Sequence, residues 1–152
     1  MIIENQYFDE IEKLWKDNNN GYIPYESNKT ALKDDEMLKL VYEENGTIMG
    51  YCIVYLKKDF CEVEGYPNKI ENMPNKVGYI WEIVSDKNHS GKGVATKMLE
   101  YVKEKFKGYT FYSCVDLRNT PSLNLNMKNG FEIIYEFEKK DNTKHAILKI
   151  DL

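Results

Sequence analysis

The sequence predicts a mixed α/β fold in which a mostly antiparallel sheet carries one strand–helix–strand crossover at its centre. Three observations carry this reading. Two strand-like runs, Leu38 to Glu44 and Thr47 to Lys57, are joined by Asn45-Gly46, a dipeptide suited to a tight hairpin turn. An apolar run, Val77 to Ser85, leads through a glycine-rich turn into a segment of clean helical periodicity ending near Lys107, and a further strand follows from Tyr109 to Val115. Two closing strands, Phe131 to Phe137 and Ala146 to Leu152, flank a charged turn, Glu138 to Lys144.

The chain has 152 residues, enough to bury a core without covalent staples, and the expectation is a single domain over 1–152. Hydrophobic residues make up 42% and charged residues 30%, the balance of an ordinary globular protein rather than a disordered one. The net charge is −4 and no basic patch stands out, which argues against nucleic acid as a partner. No apolar run approaches the roughly 20 residues of a membrane span, and no signal-peptide pattern opens the chain. Cys52, Cys61 and Cys114 are odd in number and lack paired spacing, as expected of reduced thiols in the cytoplasm.

Taken in order, Met1 to Asn5 reads as a short edge strand. Phe8, Ile11, Leu14 and Trp15 recur at helical spacing, and Asn18-Asn19-Asn20-Gly21 ends that helix. Tyr22-Ile23-Pro24-Tyr25 cannot be mid-helix, because Pro24 drives its predecessor to extended geometry. Its tyrosines either line an acceptor pocket or pack the first helix onto the sheet. Gly50, inside the second strand, implies a bulge or a close backbone approach. Asp59 to Lys76 reads as a long loop, either a lid or binding loop or a plain excursion. Val77 to Ser85 is apolar on both faces apart from Glu82, as a central strand should be.

After the turn, Val94, Ala95, Met98, Leu99, Val102 and Phe106 form one stripe opposite Lys97, Glu100, Lys103, Glu104 and Lys107, with Gly108 as the stop. Thr120-Pro121 reads as a helix N-cap followed by proline at the first helical position, with Gly130 past the far end.

The turn itself, Ser85 to Thr96, offers unpaired N–H groups and the positive end of a helix dipole, both suited to phosphate. A phosphate-binding loop of the G-x-x-x-x-G-K-[ST] type is not present. A dinucleotide fingerprint needs a third glycine where Thr96 stands, and too little chain follows Asp116 to complete its sheet. A tight turn without ligand, or a cradle for the pyrophosphate of coenzyme A, remain.

For the cradle a resemblance becomes specific. Ser90-Gly91-Lys92-Gly93-Val94-Ala95 fits Q/R-x-x-G-x-G/A except at its first position, and Asn119, Ser122, Gly130 and Phe131 sit at matching offsets in the next strand–helix segment. From Leu38 onward the chain resembles the GNAT-superfamily N-acetyltransferases. The resemblance implies their acyl-CoA N-acyltransferase fold, a sheet of six to seven strands flanked by helices. It implies acetyl-CoA as co-substrate, its pyrophosphate held by N–H groups from Gly91 to Thr96. The strand end Ile83-Val84-Ser85 would pair with pantetheine, Asn119 and Ser122 would meet it from the other side, and the Ile83 amide would face the thioester carbonyl, where charge grows. Lys92 either adds charge near phosphate or is simply solvated.

Two departures stand against the family pattern. Ser90 replaces the usual Gln or Arg, so one side-chain contribution is smaller. Asn126 occupies the position where many members carry a tyrosine thought to protonate the leaving thiolate. An amide gives no proton at neutral pH, although a thiol of pKa about 8.5 leaves tolerably without one, and Asn126 can still hydrogen-bond sulfur or pantetheine.

On the acceptor side, an alkyl ammonium of pKa about 10.4 must lose a proton before attack. Glu82, the one carboxylate on its apolar strand, is the expected base, directly or through water, with its pKa raised by burial. An inter-strand ion pair or an exposed edge position is the alternative. His89 would touch phosphate or solvent, His145 reads as structural, and Cys114 as a buried core thiol. No Cys/His cluster has metal-ligand spacing, so no metal is expected.

The expectation is an N-acetyltransferase that acetylates a primary amine of a small molecule or peptide by direct attack. Its rival is a catalytically degenerate acyl-CoA-binding regulatory module. Acceptor choice falls to the Asp59–Lys76 loop, the Tyr22–Tyr25 segment and, if the chain forms a homodimer, a partner subunit.

Overall fold

The structure is a computed structural model and describes residues 1–19 and 21–152. Asn20, part of the expected stop of the first helix, lies outside the described residues. Among the described residues seven strands form a sheet in the order β1-β2-β3-β4-β5-β7-β6. They are β1 (Ile2–Glu4), β2 (Leu38–Glu44), β3 (Thr47–Tyr55), β4 (Val77–Ser85), β5 (Thr110–Asp116), β6 (Glu132–Glu138) and β7 (Lys144–Asp151). The helices are α1 (Phe8–Asn18), α2 (Tyr25–Lys33), α3 (Phe60–Glu64), α4 (Val94–Lys105) and α5 (Thr120–Lys128), with one 3-10 turn at Lys87–His89. The pairs β1–β2, β2–β3, β5–β7 and β6–β7 are antiparallel, and β4 with β5 is parallel, the signature of the crossover. The chain divides into two compact units: Met1–Val54 with Trp81–Lys105, and Tyr55–Ile80 with Phe106–Leu152.

In the first unit, β1 pairs with β2 and β2 with β3 around the expected hairpin, where Asn45 (φ 52) and Gly46 (φ 80) both take the left-handed conformation a two-residue turn needs. The register slips between Tyr42 and Glu43, opposite Gly50 and Ile48, so the expected bulge is present. The close approach is present too. A Cβ on Gly50 would lie 2.8 Å from both the Val84 carbonyl oxygen and Val94 Cγ1. Gly50 therefore lets the end of β4 and the start of α4 close against β3.

Helix α1 buries Ile11 and Leu14, as its periodicity required. The segment after it corrects the sequence reading. Pro24 is the N-cap of α2, a helix that periodicity did not reveal because its buried positions are only Asn28 and Ala31. Trp15 donates from Nε1 to the Ile23 carbonyl at 3.0 Å and its ring meets Tyr25 at 5.2 Å, so this segment packs on α1. Helix α4 buries Val94, Met98, Leu99 and Val102. It stops at Lys105, short of Gly108, whose N–H donates instead to the Leu152 carbonyl in the second unit's own strand network.

In the second unit, the first half of β4 pairs with β5 from Val77↔Thr110 to Ile80↔Ser113, and β7 lies between β5 and β6. Asp59 to Lys76 is not loop throughout. It contains α3, whose Phe60 is fully buried and stacks on Tyr79 at 4.4 Å. Tyr66 and Tyr79 both donate to Glu64 Oε2, at 2.9 and 3.0 Å, and burial lifts the Glu64 carboxyl above its ordinary value. Two adjacent buried residues, Phe60 and Cys61, and one half-buried polar cluster thus pin the first part of the segment, and two neighbours give no periodic signal. At α5 the cap is Asn119, whose side chain accepts from Ser122 N–H, so Thr120 is the first helical residue and Pro121 the second. Ser, Thr, Asn and Asp are all good caps, and local sequence does not choose between two neighbours.

Candidate active site

Glu82 lies in the first unit, on the central strand, and is 3% exposed. This removes the edge-exposed alternative. Its carboxylate is met by neutral donors: Tyr51 OH at 2.8 Å and Asn28 Nδ2 at 3.0 Å on Oε1, and Ser27 Oγ at 3.3 Å on Oε2. Asn28 Nδ2 also reaches Tyr51 OH at 3.3 Å, and Trp81 Nε1 donates to the Ser27 carbonyl at 3.2 Å. Donors of this kind favour the charged carboxylate while burial disfavours it. Burial, followed by the field of Glu82, pushes the Tyr51 hydroxyl far above its usual range and the Cys52 thiol up to about 12. Both therefore stay protonated at neutral pH, and Tyr51 remains a donor.

Asn28 is fully buried, and its Oδ1 is the one buried side-chain oxygen or nitrogen among the described residues without a hydrogen-bond partner. An orphaned buried acceptor of this kind costs on the order of 1–3 kcal/mol. The amide orientation is nevertheless the sound one. Flipped, it would turn Oδ1 toward the carboxylate and leave the two-proton amide nitrogen unpaired.

Beyond Glu82, Ile83 and Val84 are half-buried and Ser85 is exposed at the end of β4. Asp86 N–H donates to the Met49 carbonyl at 2.8 Å, and Lys87 N–H to Asn18 Oδ1 at 2.8 Å, which ties the turn down. The Asp86 side chain accepts from Asn88 N–H and lies 3.1 Å from His89 Nδ1, so His89 is paired to a carboxylate within the turn. Ser90, Gly91, Lys92 and Gly93 are exposed, and α4 begins at Val94. Gly91 (φ 83) and Gly93 (φ 67) are left-handed, a conformation costly for a residue with a Cβ. The first backbone bond at this end runs from Lys97 N–H to the Gly93 carbonyl at 2.9 Å. The N–H groups of Val94, Ala95 and Thr96 thus have no acceptor within the helix and stand available to an anion.

Asn119, Ser122 and Asn126 form a second group, on α5 in the other unit. Asn119 Oδ1 accepts from Ser122 N–H at 3.3 Å, and Asn126, 3% exposed, donates from Nδ2 to the Ser122 carbonyl at 2.8 Å. Cys114 is half-buried, slightly more open than expected, and burial pushes its thiol up to about 12, unlike a nucleophile. His145 is buried, stacks on Phe137 at 5.6 Å and meets Thr143 Oγ1 at 2.8 Å, a structural role. Among the described residues no group of three or more His, Cys, Asp or Glu is placed to hold a metal, and no helix is long and apolar enough to cross a membrane.

Glu82 and the turn from Ser85 to Thr96 stand out in the sequence as candidates, whereas Ser27, Asn28 and Tyr51, which hydrogen-bond Glu82, do not. Pro24, as a helix cap, was the available signal for α2, whereas the facing of Tyr51 depends on strand pairing.

A mixed sheet with helices around it, and a glycine-turned helix start directly after the central strand, define the acyl-CoA N-acyltransferase class of fold. The chain belongs to the Acetyltransferase (GNAT) family, whose sequence pattern matches residues 3–131. It is similar to the ribosomal-protein-S18-alanine N-acetyltransferase of Escherichia coli, at 12% identity and TM-score 0.72, over 99% of this chain and 93% of that one. It is also similar to an N-acetyltransferase of Staphylococcus aureus Mu50, at 20% identity and TM-score 0.68, over 99% and 100% of the two chains. Arabidopsis thaliana NAA60, solved in complex with acetyl-CoA, is similar over the full length of both chains at 12% identity and TM-score 0.69. At such identities the likeness shows the fold. No curated protein sequence matches the chain.

Proposed function

We propose that this acetyltransferase uses acetyl-CoA to acetylate a primary amine of a small molecule or peptide by direct attack, with Glu82 as general base. The observation that carries the reading is a buried carboxylate, held by three neutral donors, on the strand that runs directly into the anion-ready turn. Acetyl-CoA supplies the activated acyl group. The N–H groups from Gly91 to Thr96 bind its pyrophosphate, Val84 and Ser85 pair with its pantetheine arm, and the Ile83 N–H faces the carbonyl oxygen as charge develops. Glu82 takes the proton the amine must lose. The nitrogen forms the new amide bond, the C–S bond breaks, and coenzyme A departs. Asn119 and Ser122 keep the pantetheine role the family resemblance gives them. The whole chain, 1–152, is read as one catalytic domain, working in the cytoplasm without nucleic acid or membrane and with no metal, as a monomer or homodimer.

Asn126 favours a second reading. It is buried, has no titratable proton, and already spends its Nδ2 on the Ser122 carbonyl. That suits an acyl-CoA-binding regulatory module without turnover. Calorimetric titration with acetyl-CoA, followed by free-thiol release over a panel of primary amines, separates the two. The enzyme binds acetyl-CoA and releases thiol when an amine is added, whereas the module binds without release. Absence of acetyl-CoA binding contradicts both.

A further inference from the structure

Helix α2 exposes most of its residues and buries only Asn28 and Ala31. At a fully enclosed position an apolar side chain would satisfy packing, yet the chain places an amide there and leaves its Oδ1 without a donor. What the amide achieves is confined to its other end. Nδ2 spans Tyr51 OH at 3.3 Å and Glu82 Oε1 at 3.0 Å, and Tyr51 OH reaches the same Oε1 at 2.8 Å. Oε1 thereby takes two donors from two different elements, α2 and β3.

We propose that Asn28 is a positioning residue for Glu82, kept at the expense of the fold in order to hold the carboxylate oriented and ionised. Tyr51 and Cys52, both on β3, are among the titratable groups near Glu82 and are protonated at neutral pH, while α2 offers it Ser27 and Asn28, which are neutral. These neighbours stabilise the charged form through dipoles, so each donor removed lets burial raise the affinity of Glu82 for its proton. A base protonated too early cannot take the proton of an ammonium. The catalytic meaning of this arrangement rests on the acetyltransferase reading above, while the electrostatic linkage does not.

The full chain is labelled with ¹³C-glutamate, the Glu82 carboxyl signal is assigned with Glu82→Gln, and its titration is followed in wild type, Asn28→Leu and Tyr51→Phe. Asn28→Leu raises the midpoint by about one pH unit, the size of one lost hydrogen bond to a charged group. It leaves the melting temperature within about 3 °C of wild type, because the orphaned oxygen goes too. Tyr51→Phe moves the midpoint the same way. If Asn28→Leu does not fold, Asn28→Ser is read by the same criterion. A midpoint unmoved by loss of the amide, or a large drop in melting temperature with an unmoved midpoint, overturns the proposal and makes Asn28 a packing residue. The acid limb of amine-dependent thiol release should move with the midpoint. A shifted midpoint in a protein that releases no thiol retires the acetyltransferase reading and leaves the linkage standing. Thiol release that needs Glu82 while its acid limb ignores Asn28 overturns the positioning role and leaves the acetyltransferase reading standing.

Discussion

Tyr51 of β3 and Glu82 of β4 meet through a 2.8 Å hydrogen bond in which the phenol donates to a carboxylate that is 3% exposed. Burial and the carboxylate together keep the phenol protonated, so the donor does not titrate away in the working pH range. Tyr51→Phe removes one charge-assisted bond and little volume. It should cost about 1.5–3 kcal/mol of stability, read by urea unfolding at pH 8. A cost below about 0.5 kcal/mol would mean that other donors replace the phenol.

The turn makes a separate demand. Gly93 sits at φ 67 one residue before α4. Gly93→Val forces a β-branched residue into left-handed backbone and should tilt the N–H groups that follow it. Calorimetry should show acetyl-CoA affinity falling at least about tenfold, alongside a stability loss of about 1–2 kcal/mol from the strained backbone. An unchanged affinity would move the pyrophosphate elsewhere.

Ser90 is exposed at the position where the family pattern carries Gln or Arg. Ser90→Arg supplies a charged partner for phosphate and should tighten acetyl-CoA binding about three- to tenfold at low salt, with the gain fading as ionic strength rises. A gain that ignores salt would point to a packing effect instead.

Much of this arrangement is visible in the sequence because it rests on local rules. The Asn45-Gly46 hairpin, the apolar run of β4 and the stripe of α4 each announce themselves by turn chemistry or period, and Glu82 stands out as the lone charge on its strand. Gly50 was legible as a close approach, though what approaches was not. Helix α2 stayed hidden because a helix that buries Asn28 and Ala31 has no apolar stripe to read. Phe60 and its neighbour Cys61 anchor α3, and two adjacent residues have no period. Tyr51 became part of the site only through pairing of elements far apart in the chain.

His145 gives the chain an acid-sensitive term away from the proposed base. Burial holds its imidazole below the ordinary 6.5, despite the opposing pull of Asp116. As pH falls through that value the unfolded chain takes up a proton that the folded chain refuses, so stability drops toward acid. Asp116, held low chiefly by Arg118, contributes stability that is present above its ordinary 3.8 and is lost only on further acidification. Melting temperatures at pH 7.5 and 5.5 should therefore differ less in His145→Gln than in wild type. Equal differences would assign the acid sensitivity to another group.

The base assignment is tested most directly by Glu82→Gln, which keeps the side-chain size and removes the proton acceptor. With a reactive primary amine from the panel and acetyl-CoA at saturation, thiol release is followed from pH 6 to 9 in both proteins. The variant should bind acetyl-CoA as wild type does and turn over about 10²- to 10⁴-fold more slowly across that range. Equal turnover of wild type and Glu82→Gln at every pH would contradict the account.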